Sequence, residues 1–78
     1  MRIFWDINVL VDLLMVRRPF YESASTILTM SEENNWQIIV SSLSVKNQCS
    51  CIVTRNTRDF RMSSLPVFEP DDFILMNQ

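Results

Sequence analysis

A chain of 78 residues holds one domain at most, and at that size folding buries only ~60–65% of the unfolded surface, so stability is marginal without help. A hydrophobic content of 47% excludes intrinsic disorder and suggests apolar surface left over for a partner. The net charge of −2 excludes a polycationic nucleic-acid binder held by bulk charge and leaves any phosphate contact to local arginines.

The first predicted element is a strand over residues 2–5, whose nearly continuous apolar run suits a strand buried on both faces. It runs straight into Asp6. Asn8 is expected to cap a helix over residues 9–16, with Leu10, Leu13 and Leu14 on one face and Arg17 and Arg18 at the end that favours cations. Asp12 is expected on its solvated face. Pro19 opens a second helix at the first turn, where the missing N–H is tolerated. That helix reaches about residue 33, with Phe20, Ala24, Ile27, Leu28 and Met30 near helical spacing, and Asn34-Asn35 ends it. The leucine and isoleucine stripe reads as core or dimer surface. A second strand follows over residues 36–40, then a polar, unassigned stretch over 41–48. A third strand is expected over 49–54, a short edge strand over 66–68, and a last helical turn over 71–76.

Glycine is absent. Tight hairpin turns favour it, so strand–helix–strand connections are preferred over a meander. The expected sheet is mostly parallel, with residues 2–5 central, 37–40 and 51–54 on either side, and Val67 at the edge. Ten residues, 41–50, separate the second strand from the third. Passing over the first strand means crossing ~10 Å and returning ~17 Å. Ten extended residues reach at most ~33–36 Å, which leaves little chain to cover the sheet. With no histidine and two cysteines, a zinc site is excluded. Cys49 and Cys51 are expected as buried free thiols on opposite faces, in keeping with a reducing cytoplasm. No apolar run approaches the ~18 residues of a membrane span, and the opening residues do not read as a signal peptide.

In open α/β sheets ligands bind at the C-terminal edge of the strands. Two predicted strands end there in polar, acid-bearing turns: FWDIN over residues 4–8, and VTRNTRDF over residues 53–60. Asp6 reads either as a ligand for Mg²⁺ or Mn²⁺, ions that prefer hard oxygen donors, or as a turn residue capping the helix. Asp59 reads as a second carboxylate facing it or as a solvated turn residue. The pairs Glu32-Glu33 and Asp71-Asp72 are no ready metal sites, since adjacent helix residues diverge.

Residues 1–44 and 45–73 resemble the two ends of a PIN domain, the nuclease fold of many bacterial toxin–antitoxin toxins. FWDINVLVDLL over 4–14 is similar to the family's strand, acid and helix start. SSLS over 41–44 is similar to the end of its second strand. VTRNTRDF over 53–60 resembles its late strand and acid turn; SSLPV over 63–67 and EPDDF over 69–73 resemble its final edge strand and closing helix. The likeness implies an α/β fold, three-layer-like, with a mostly parallel sheet and flanking helices, in a single domain over 1–78. The family's middle is missing near residues 44–46, by internal deletion or because the 78 residues are portions of a longer chain joined there. It implies a metal-dependent endoribonuclease, the toxin of a toxin–antitoxin pair, or else an inactive truncated remnant acting as an interaction module. On this likeness the first family acid falls on Asp6 and the last on Asp59, or its place is filled by Asn56. Asp6 and Asp59 would be catalytic and bind Mg²⁺ or Mn²⁺. Asn8, Thr54 and Asn56 would support them, and Arg55, Arg58 and Arg61 would meet RNA phosphates. Where the second acid belongs there are only Ser44, Lys46 and Asn47; the third has no counterpart. The implied partners are RNA, an antitoxin protein and a second copy of the chain, with no membrane, in the cytoplasm.

Overall fold

The computed structural model describes residues 1–40 and 49–78. The unassigned stretch 41–48, the break expected at 44–46, and Ser44, Lys46 and Asn47 lie outside the described residues. The elements are β1 (Arg2–Trp5), α1 (Ile7–Leu14), α2 (Phe20–Asn34), β2 (Gln37–Ile39), β3 (Cys51–Val53), a 3-10 turn (Thr57–Phe60), β4 (Val67–Phe68) and α3 (Pro70–Met76).

The four strands form one sheet in the order β2-β1-β3-β4, and every pairing is parallel. β1 sits at the centre, as its apolar run suggested, with Ile3 opposite both Ile38 and Cys51. The expected α/β architecture and strand order are what the structure has. Side chains alternate across the sheet. Ile3, Trp5, Cys51 and Val53 face one way and meet Val9 of α1, Ala24 and Ile27 of α2, and Phe73 of α3. Phe4 and Ile52 face the other way and pack with Cys49, Phe60, Leu65 and Val67. The central strands are therefore buried on both sides, which is why their sequence shows no polar alternation. Among the described residues no helix is long and apolar enough to cross a membrane.

The start of α1 and the burial of its apolar stripe differ from expectation. α1 begins at Ile7, with Asp6 at the N-cap position, so Asn8 lies inside the helix. The leucine stripe divides: Leu10 and Leu13 pack on the core, whereas Leu14 and Leu28 are exposed.

Helix ends in a glycine-free chain need substitutes. α1 closes with Val16 N–H donating to Leu13 O and Arg17 N–H to Asp12 O, the paired bonds that require a left-handed residue between them. That residue is Val16, at φ 51°. For a β-branched side chain this is strained, at a cost of ~1–2 kcal/mol. Asn35 does the same after α2 at φ 59°, with less strain, because asparagine tolerates this region. Val16→Gly is expected to raise the unfolding free energy by about 1 kcal/mol in urea titration, glycine's larger unfolded-state entropy offsetting part of the relief.

The thiols face different clusters. Strand alternation alone would put residues two apart on one side, but β3 starts only at Cys51 and Cys49 lies in the bend before it. Both are buried. Burial pushes the Cys51 thiol up to about 11 from 9.0, with Cys49 adding to the rise. A folded-state pKa above the unfolded value means that folding favours the protonated thiol. Below pH 9 it is protonated in both states, so that preference is fully present. It is lost as pH rises from 9 towards 11. Stability is expected to fall over that window, and Cys51→Ala should flatten the slope in denaturation measured at pH 8, 9.5 and 10.5.

Candidate functional site

Because all four strands run the same way, β1, β3 and β4 release their chains at one edge. Asp6, Thr54 and Glu69 are the residues that follow them. Asp6 N–H donates to Val53 O at 3.0 Å, extending the β1–β3 ladder by one rung. Its backbone is extended, and its side chain makes no capping bond to α1. The turn-capping role weighed for Asp6 is thus not the one its carboxylate plays. Instead Oδ2 accepts from the Thr54 hydroxyl at 2.9 Å. Thr54 is fully buried, and its hydroxyl in turn accepts the Asn56 N–H at 3.0 Å. A hydroxyl that both donates and accepts ties the β3 turn to the acid of β1.

Asn56 precedes the 3-10 turn and accepts the Asp59 N–H through its carbonyl at 3.0 Å. Asp59 itself is exposed. It lines a shallow depression of about 420 Å³ with Asn56, Arg58 and Glu69, and Asp6 is not among the lining residues. Asn8 is half-buried on α1, and the bond that orients Asp6 comes from Thr54. Arg58 and Arg61 flank an adjoining groove of about 480 Å³ floored by Phe60, Leu65 and Val67.

Arg55 departs most from expectation. Rather than standing free for phosphates, its guanidinium grips Asp12 at two points, Nε to Oδ2 at 2.6 Å and Nη2 to Oδ1 at 3.1 Å. It also lies 4.0 Å from the Phe20 ring centroid, a cation–π contact. Asp12, expected on a solvated face, is only 1% exposed. The spacing hides this pairing, since the two residues stand 43 positions apart. Arg58 and Arg61 are exposed on the turn and just after it, which narrows the candidate phosphate contacts to them.

Glu69 is the acid that the sequence reading passed over. It follows β4 in extended conformation and precedes Pro70 at the start of α3, so it repeats the strand–acid–helix layout of Asp6, and that layout is the signal that would have found it. A further cavity of about 250 Å³ between α2 and α3 is lined by Phe20, Ser23, Arg55, Glu69, Pro70 and Asp71. Much of its polar lining is already engaged: Arg55 on Asp12, and the Ser23 hydroxyl on Asp71. It is a seam between helices.

The donor set can be tested against the implied ion. Among the described residues no group of three or more His, Cys, Asp or Glu converges. That does not fit a two-metal centre, which uses three or four acids. A carboxylate such as Asp6 with one oxygen engaged still has acceptor capacity. This fits a single Mg²⁺ or Mn²⁺ that keeps most of its water, as such ions do when one or two carboxylates hold them. No family model matches the chain, and no curated protein or solved structure matches it either.

Proposed function

We propose that this chain is a PIN-like metal-dependent endoribonuclease with a reduced acidic site, centred on Asp6. One observation carries the reading: Asp6 leaves the central strand of an all-parallel sheet at its C-terminal edge, and its carboxylate is held by Thr54 from the neighbouring strand rather than spent on capping. An Mg²⁺ or Mn²⁺ ion bound there would supply water activation and charge stabilisation for phosphodiester hydrolysis. Asp6 would hold the ion, Thr54 would orient Asp6, and Arg58 and Arg61 would meet RNA phosphates. Asp59 and Glu69, which line a neighbouring depression, would assist.

With so few ligands the ion is held loosely and water is poorly positioned, and errors near 1 Å cost ~10²-fold in rate. Cleavage of a mixed-sequence RNA in Mn²⁺ is therefore expected to be weak, and Asp6→Asn is expected to abolish what there is. Activity unchanged in Asp6→Asn would overturn the assignment. Strong cutting lost in that variant would mean that further acids are supplied, by a second copy or by residues outside those described.

A second reading, a catalytically inactive interaction module, is favoured by the outer face of α1. Ile7 and Leu14, 55% and 70% exposed, fall on one side of the helix at helical spacing, and Met15, 66% exposed, follows at its C-cap. Single exposed apolar residues are ordinary, but a contiguous set marks an interface. An antitoxin helix or a second copy of the chain would cover it. A monomer in sedimentation at micromolar concentration, with no RNA cleavage, would remove the second copy from this reading.

A further inference from the structure

Thr54 and Arg55 are consecutive residues that grip opposite ends of one helix. Thr54 holds Asp6 at the N-cap of α1. Arg55 holds Asp12 in its last turn. The grip at the far end is the firmer of the two. A bidentate guanidinium–carboxylate pair fixes both distance and plane, and the Phe20 ring, 4.0 Å from the guanidinium carbon, closes the third direction. Asp12 cannot turn to water, being 1% exposed. The backbone of Arg55 is thereby held against α1 and α2. Its two neighbours in sequence are the groups that orient Asp6: the Thr54 hydroxyl, and the Asn56 N–H that sets that hydroxyl's direction.

We propose that Arg55 is a positioning residue, its clamp on Asp12 and Phe20 holding the Thr54–Asn56 turn and, through the Thr54 hydroxyl, the orientation of the Asp6 carboxylate. This rests on the reading of Asp6 as the acid of a metal-dependent site. Partners that orient a metal ligand commonly change metal affinity 10–100-fold when removed, and a planar two-point fork is not reproduced by lysine. Arg55 therefore acts on Asp6 through the Thr54–Asn56 turn.

The test compares wild type, Arg55→Lys and the double variant Asp12→Leu/Arg55→Met, which removes both charges while keeping the volume filled. Three quantities are read: Mn²⁺ affinity by calorimetry, hydrogen exchange at the Asn56 amide, and urea denaturation. In folded variants the Asn56 amide is expected to exchange at least ~10-fold faster and Mn²⁺ affinity to fall ~10-fold, with Asp6→Asn abolishing binding as the reference. A folded double variant with both quantities within about twofold of wild type would overturn the proposal; should the double variant not fold, Arg55→Lys carries the same comparison. If wild type binds no Mn²⁺, the metal reading falls, and Asn56 exchange alone decides whether Arg55 positions the turn: unchanged exchange refutes it and faster exchange supports it.

Discussion

Arg55→Met is expected to cost about 3–5 kcal/mol of stability, because it strips both hydrogen bonds from a carboxylate that water cannot reach. Asp12 lies 1% exposed beneath the guanidinium, so its charge is left in the interior uncompensated. The substitution also removes the cation–π contact with Phe20. At ~0.05–0.15 kcal/mol per residue, the chain's whole stability is only several kcal/mol, so the variant should be largely unfolded at physiological temperature. Asp12→Leu/Arg55→Met should recover most of the loss, since a buried pair replaced by packed apolar groups is often neutral or better. Urea denaturation of the two variants checks both statements. A single variant costing under ~1 kcal/mol would mean that Asp12 finds water or another partner once Arg55 is gone.

Phe73→Ala is expected to cost about 3–5 kcal/mol by cavity formation. The ring is buried at 1% and meets Trp36 edge-on at 5.8 Å and Phe68 at 6.2 Å. α3 has seven residues, too few to be helical alone. This ring is its largest buried anchor, with Pro70 buried and Ile74 packed beside it, whereas the Ser23 to Asp71 bond is exposed and stabilises little. Loss should therefore appear both as lower global stability and as faster amide exchange confined to α3. Exchange rising uniformly across the chain would instead show that α3 unfolds only with the rest.

Much of the fold was legible because it rests on local signals. Nearly continuous apolar runs within residues 2–5 and 49–54 marked the two inner strands, and the lack of glycine disfavoured hairpins. The span expected for α2, from Pro19 to about residue 33, falls within a residue of its bounds. The capping residue of α1 was misplaced by two positions, because asparagine and aspartate are both good caps and only the backbone distinguishes which one flanks the first turn. Glu69 was overlooked because β4 is two residues long, too short for a periodic signal to mark the acid behind it.

By itself the sequence determined the class of fold, the central place of β1, and the delivery of Asp6 to the C-terminal edge of the sheet, because each follows from apolar runs and turn residues adjacent in the chain. Only the tertiary structure decided which charged groups are free. Asp12 reads as a solvated helix residue and Arg55 as a phosphate contact until the sheet brings them together across 43 positions, where burial makes each the other's necessary partner. The same folding turned the Thr54 hydroxyl onto Asp6 and left Asp59 on an exposed turn. Ionic pairing at this range depends on strand order and helix packing, which no local pattern of residues encodes.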